Sequence, residues 1–441
     1  MDKAFFNTVK ADITGLSVFA SIREDPLIQA FLALLGADSE TALIGAWSGF
    51  MRAFIAASVD TSWSSAIPSL VIRADNEFTR TAERKDAEPS PLLKTLVKTD
   101  LERLSRIAAF DISAFGFNAA DTVRKAGFEA AAAHIEECAR ILWEMETPAE
   151  KQPMAHIAWS EERLSAYIRA KGAGLLGQYA AFRWNGGAVG TGSGRNVSHL
   201  QPVRNPDPVR ISDLFGYEEQ RNAVIAHTLR FLEGKAANNL LLYGDRGTGK
   251  SATVKAVCNE YAERGLRLVE VRKENLMRLQ ILMEELSTRG LRFVVFIDDL
   301  SFETMDDSFT GLKALLEGGV EKKPENVVVY ATSNRRHFVK EHFDQMDGPR
   351  AFDTMQEQVS LSDRFGLTVI FIAPDQDEFL FIAEQIAIRR GLFDTDGQTA
   401  ALRTNFRENA VRWARWFNGR SPRTADQFVD WISSGEGFPW E

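Results

Sequence analysis

Asn239-Leu-Leu-Leu-Tyr243 runs straight into Gly244-Asp-Arg-Gly-Thr-Gly-Lys-Ser251, and a helical pattern follows from Ala252 to Arg264. A strand, a glycine-rich turn ending in Lys and Ser, then a helix is a phosphate-cradling P-loop in the context it requires. Gly244, Gly247 and Gly249 give the backbone conformations closed to other residues, so that successive N–H groups converge on one anion. The helix start adds unpaired N–H groups and partial positive charge. Lys250 can reach the β- and γ-phosphates, and the Ser251 hydroxyl can ligate Mg²⁺. The cofactor-binding stretch is therefore Gly244, Asp245, Arg246, Gly247, Thr248, Gly249, Lys250, Ser251 and Ala252.

Around this motif lies a chain of 441 residues, long enough for two or three domains, with 45% hydrophobic and 26% charged residues. A formal charge of −9 argues against a surface coated with cations for nucleic acid. Cys138 and Cys258 stand far apart in helical patterns and read as buried free thiols of a reducing compartment. No apolar run approaches the ~18 residues of a membrane span, and no secretory signal opens the chain. A cytoplasmic protein is expected.

Residues 1–184 read as an all-α accessory domain. Leu27-Ile28, Phe31-Leu32 and Leu34-Leu35 recur at helical spacing, as do Leu43, Trp47, Phe50-Met51, Phe54 and Ile55. Leu92-Leu93, Leu96, Leu101, Leu104 and Ile107-Ala108 mark another helix, and Ala126 to Met145 a further one, with Phe128, Ala131, Ile135, Ala139 and Leu142 on one face. Pro68, Pro89, Pro91, Pro148 and Pro153 punctuate them, and Trp47, Trp63, Trp143 and Trp159 are expected in the core. His134 and His156 lack metal-ligand spacing. Residues 185–209, glycine- and proline-rich, read as a linker.

From Ile211 the pattern changes. After a helix from Glu218 to Leu232 and the P-loop strand, strands are expected over Arg267–Val271, Arg292–Asp298, Asn326–Thr332 and Leu367–Ala373. Helical stretches lie between them around 252–264, 276–288 and 308–317. This alternation predicts an α/β fold with a parallel sheet covered on both faces, over 210–373. A helical subdomain follows over 374–441, where Asp375 and Glu378 have capping-box spacing.

The strand Phe293-Val-Val-Phe-Ile297 ends in Asp298-Asp299, an apolar strand closing in acid beside a P-loop. Asp298 is placed to reach the Mg²⁺ shell, and Asp299 is free to orient a water for attack on the γ-phosphate, with Glu303 as the alternative. Asn334 ends the next strand, where it can hold that water or cap the following turn. Arg364 precedes the last strand. Ser421 and Pro422 have the form of a helix start that presents Arg423 in the first turn.

Taken in order, the P-loop, Asp298-Asp299, Asn334, Arg364 and Arg423 resemble the Walker A, Walker B, sensor-1, arginine-finger and sensor-2 elements of AAA+ ATPases. The likeness covers about 210–441 and does not extend to 1–184. More narrowly, Phe-Ile-Asp-Asp-Leu-Ser-Phe-Glu, Tyr-Ala-Thr-Ser-Asn-Arg-Arg-His and Leu-Ser-Asp-Arg-Phe-Gly resemble a bacterial branch known as a domain of unknown function (number 815). The resemblance implies a five-stranded parallel sheet in the order 5-1-4-3-2 and a helical lid. It implies ATP and Mg²⁺ as ligands, with Lys250 and Ser251 on phosphate and metal, Asp298 on the metal and Asn334 on the water. Arg364 would reach a neighbouring subunit's site in a homo-oligomer, Arg423 would read the γ-phosphate, and Gly216 and Tyr217 would touch adenine. Asp299 departs from the Glu that many members carry.

The expected activity is hydrolysis of ATP to ADP and phosphate, driving movement of an unknown macromolecular client. A nucleotide-dependent switch with little turnover and a DNA-associated loader are the alternatives. The series Arg403, Arg407, Arg412, Arg415 and Arg420 with Trp413 and Trp416 suits nucleic acid, but reads better as the solvated face of a helix whose Phe406, Ala410, Trp413 and Phe417 point to the core. Nucleic acid is therefore not favoured as the partner.

Overall fold

The structure is a computed structural model describing residues 3–57, 62–84, 86–146, 157–186, 200–300, 323–334, 365–392, 400–417, 419–435 and 438. The chain divides into two units, Met1–Gln178 and Tyr179–Glu441.

Every described element of the first unit is a helix, and local chemistry sets where several begin. Asp25, Ser90, Asp111 and Ser160 each accept a hydrogen bond from a backbone N–H of the first turn, and Pro26 and Pro91 occupy first-turn positions. Asn76 and Thr79 cap each other reciprocally. Trp47, Trp63, Phe31 and Phe50 are fully buried, with the Phe31 and Trp63 rings 4.5 Å apart. Gly116 lets helix Ile112–Lys125 approach helix Glu40–Ala57: a Cβ there would lie 2.4 Å from Trp47 Cη2.

Several details differ from the sequence reading. Gly127, at φ +89°, ends helix Ile112–Lys125, so the next helix begins at Glu129 and Phe128 stands outside it, exposed. Ile55, Leu92 and Trp143 are 64%, 70% and 65% exposed, because each flanks rather than occupies the buried stripe of its helix. Pro68 lies inside helix Trp63–Arg73 instead of ending one. Cys138 is only partly buried, whereas Cys258 is buried. Pro148, Pro153 and His156 lie outside the described residues.

Asp100 ties the first unit together. Its fully buried carboxylate accepts from the backbone N–H groups of Ser17, Val18 and Phe19, at 2.9, 2.8 and 3.1 Å to Oδ2. One side chain on helix Pro91–Ala108 thus satisfies three donors of a turn over eighty positions away in sequence.

Among its described residues the second unit has seven strands: β1 (Ala181–Trp184), β2 (Leu200–Pro202), β3 (Asn239–Gly244), β4 (Leu266–Val271), β5 (Arg292–Ile297), β6 (Val327–Asn334) and β7 (Gly366–Phe371). Their order across the sheet is β2-β1-β4-β5-β6-β3-β7. All neighbours pair in parallel except β1 and β2. The expectation of five strands in the order 5-1-4-3-2 is therefore corrected: the sheet has seven strands, two of them added outside β4. The sequence reading put β1 at the end of the all-α domain and β2 inside the linker. Runs of four and three residues are too short to display a period, and β1 is recognisable as a strand from its pairing with β4 and β2. Arg183, exposed between buried Phe182 and Trp184, pairs with Glu270 of β4 at 3.1 Å.

Helices Glu218–Leu232, Lys250–Tyr261 and Leu279–Ser287 accompany the sheet; the helix expected around 308–317 lies outside the described residues. Helices Gln376–Arg389, Ala400–Trp416 and Pro422–Ser434 then pack around Phe379, Phe406, Trp413 and Phe428. Asp375 and Glu378 form the capping box that their spacing predicts. Phe417, expected in the core, is exposed at the end of its helix, its ring 4.2 Å from that of Trp413. Among the described residues no helix is long and apolar enough to cross a membrane.

Replacing Asp100 with Ala leaves three backbone donors without their acceptor and is expected to destabilise the first unit by roughly 3 kcal/mol, with Asp100→Asn costing clearly less. Denaturant melts followed by tryptophan emission measure both, and equal losses for the two variants would refute the account.

Candidate nucleotide-binding site

Parallel register places the site. Gly244 at the end of β3 stands opposite Asn334 at the end of β6, and Ile297 of β5 stands opposite Ala331. The residues just beyond these carboxyl ends therefore converge.

The P-loop takes the shape its glycines permit. At Gly244, φ is +142° and a Cβ would lie 1.9 Å from the Phe371 carbonyl oxygen, so no side chain fits between β3 and β7. Gly249, at φ +88°, precedes helix Lys250–Tyr261, and its carbonyl accepts from Thr253 N–H at 2.8 Å. Thr248 Oγ1 donates to the Asp245 carbonyl at 2.8 Å, and Asp245 Oδ2 accepts from Ala373 N–H at 2.7 Å.

Lys250 is 6% exposed, and its ammonium donates to the carbonyls of Gly244 and Asp245 at 3.0 and 2.7 Å and to Asn334 Oδ1 at 3.2 Å. Burial pushes its pKa down to about 8, against the pull of Asp245, Asp299 and Asp298, while Arg423 pushes the same way as burial. Asn334 then hands the chain on: its Nδ2 donates to Asp299 Oδ1. An ammonium can only donate and a carboxylate only accept, so the amide orientation follows from its two partners.

Asp298 is held by three donors on one oxygen. Ser251 Oγ and Thr332 Oγ1 each donate to its Oδ1 at 2.6 Å, and Asp299 N–H does so at 3.1 Å. A hydroxyl and a carboxylate oxygen brought together are hard donors that suit Mg²⁺. Among the described residues no group of three or more His, Cys, Asp or Glu is placed to hold a metal ion. The Ser251 hydroxyl and the Asp298 carboxylate are a donor set that fits Mg²⁺.

The helical subdomain touches the P-loop directly. Ser421 caps helix Pro422–Ser434 by accepting from Thr424 N–H, and Arg423 N–H donates to the Gly247 carbonyl at 3.2 Å. A Cβ on Gly247 would meet Ser421 Oγ at 2.8 Å and Arg423 Cβ at 3.3 Å. Gly216 and Tyr217 take left-handed conformations, φ +72° and +59°, just before helix Glu218–Leu232. The Tyr217 hydroxyl donates to the Ile372 carbonyl at 2.6 Å, and its ring lies 5.4 Å from that of Phe371.

These groups line one cleft of about 1050 Å³, in which Lys250, Ser251, Asp298, Asp299 and Asn334 share the lining with apolar Leu214, Phe215, Phe371, Ile382 and Ile386 and with charged Arg221, Arg389 and Arg390. The size suits a small molecule, and the mixed lining suits one with both charged and apolar parts. Sequence reading missed Thr332, whose strand alternation puts it on the same side as Asn334 two positions later. It also missed the apolar wall, because residues so far apart in the chain meet only through folding. Arg364 and the alternative Glu303 lie outside the described residues.

Gly247→Ala is expected to strain the left-handed P-loop position and crowd Ser421, costing about 1–3 kcal/mol and lowering the thermal midpoint; an unchanged midpoint would contradict the close approach of helix Pro422–Ser434.

Among curated proteins none matches the chain. Of solved structures, the Thermotoga maritima RuvB Holliday junction branch migration motor is 17% identical, with 52% of this chain and 65% of that one covered and a TM-score of 0.34. C. elegans PCH-2 is 16% identical, with 52% and 66% covered and a TM-score of 0.37. The chain thus spans slightly less than two thirds of these proteins' length. A family model described as "Protein of unknown function (DUF815)" matches residues 178–436, a span that holds the P-loop, Asp298, Asn334 and Arg423 and exceeds half the chain; the protein belongs to that family.

Proposed function

We propose that this protein binds ATP with Mg²⁺ and hydrolyses it to ADP and phosphate, using the cycle to move its helical lid, residues 374–441, against the α/β domain, residues 210–373. The observation that carries the reading is the meeting of Lys250, Ser251, Asp298, Asp299 and Asn334 at the carboxyl ends of three adjacent strands. In this reading the P-loop N–H groups and Lys250 hold the triphosphate, and the buried Lys250 charge gains from the anion what burial takes away. Ser251 and Asp298 hold the magnesium, which neutralises charge on the phosphates. The carboxylate of Asp299, aimed by Asn334, orients water and accepts its proton. The apolar side chains of the cleft, with Tyr217 among its lining, receive the base beside Gly216 and Tyr217. Arg423, on a helix bonded to the P-loop, reports the phosphate state to the lid. Arg364 acts in a neighbouring copy of the chain, so that the active form is a homo-oligomer acting on a macromolecular client.

Calorimetry and phosphate release test this together. Lys250→Ala is expected to lose detectable ATP binding. Asp299→Asn is expected to keep binding and lose turnover by on the order of 10²–10⁴-fold. Wild-type protein that binds ATP without releasing phosphate at any concentration would make it a switch; no binding at all would end the proposal. Arg364→Ala is expected to bind ATP normally while turnover falls by on the order of 10³-fold or more, and retained turnover would remove the role in a neighbouring subunit.

A further inference from the structure

The end of β6 grips the segment after β5 through three consecutive residues. The Thr332 carbonyl accepts from Leu300 N–H at 2.7 Å, Ser333 Oγ donates to the Leu300 carbonyl at 2.7 Å, and Asn334 donates to Asp299. The Thr332 hydroxyl adds two further bonds: it accepts from Asp299 N–H at 2.9 Å and donates to Asp298 Oδ1 at 2.6 Å. Thr332 is 2% exposed, so water does not compete for that hydroxyl.

Asp299 has φ +51°, a left-handed conformation that costs a non-glycine residue on the order of 1 kcal/mol and persists only where its surroundings over-determine it. Its backbone N–H is held by Thr332 Oγ1 on one side and by Asp298 Oδ1 on the other. The strand Val327-Val-Val329 favours β-branched apolar residues, and a buried hydroxyl five positions from its start is a cost unless it is bonded. Here it is bonded twice, to both members of the acidic pair.

We propose that Thr332 is a positioning residue, whose hydroxyl locks Asp299 in its left-handed turn and turns Asp298 so that Oδ1 faces the protein. Among the described residues nothing donates to Asp298 Oδ2, which is thereby left for the cation. The role rests on the ATPase reading above, since it acts through Asp298 and Asp299. It leaves the P-loop grip on the triphosphate untouched.

The test compares wild type, Thr332→Val, which removes the hydroxyl at constant shape, and Thr332→Ser, which keeps the hydroxyl and loses a methyl. Thr332→Val is expected to lower kcat by on the order of tenfold to a hundredfold, with the calorimetric Kd for ATP in EDTA within about twofold of wild type. Residue-resolved amide exchange in nucleotide-free protein is expected to speed up at Asp299 and stay unchanged at Leu300, whose acceptor is the Thr332 backbone. Thr332→Ser is expected to keep turnover within about threefold. Val turning over as wild type, or Ser falling as far as Val, overturns the positioning role alone. A wild-type protein without turnover overturns it together with the ATPase reading.

Discussion

Parallel pairing of β6 with β3 on one side and β5 on the other is the constraint from which the rest follows. It brings the P-loop, the acidic pair and Asn334 to one edge of the sheet, although they lie up to ninety positions apart in the chain. β5 and β6 are apolar and buried along nearly their whole length, which keeps them in the middle of the sheet. A shift of one residue would turn Thr332 and Asn334 away from Asp298 and Lys250, so the hydrogen bonds at the strand ends select the register.

Those ends form one chain of bonds from Lys250 through Asn334 to Asp299, Thr332, Asp298 and Ser251. Each member has a partner of opposite hydrogen-bonding character, so a concentrated set of charged groups coexists in a partly buried cleft. The lysine carries the burden, its charge weakened by burial. A group in that condition gains most from a multiply charged anion, which links the electrostatics to the ligand proposed for the site.

Two glycines decide how closely the parts approach. Gly244 admits the β7 carbonyl, and Gly247 admits the start of helix Pro422–Ser434. The second contact joins the P-loop to the first turn of that helix by a backbone bond, from Arg423 N–H to the Gly247 carbonyl.

Sequence alone determined the P-loop and the acidic strand end, because each is a run of contiguous residues whose chemistry depends on local spacing. It also predicted the capping box at Asp375 and Glu378 and the helix start at Ser421 and Pro422, where side chain and backbone partners sit three positions apart. Helical periodicity found most of the buried stripes, but Trp143 in the first unit and Phe417 in the second, expected in the core, are exposed, because exposure depends on which neighbours cover a residue. Tertiary structure decided the seven-strand sheet, since β1 and β2 are too short to carry a pattern and exist through pairing with β4 and each other. It alone revealed Thr332 and the apolar wall of Phe215, Ile382 and Ile386, because hydrogen bonds and contacts across long stretches of chain leave no local periodicity to read.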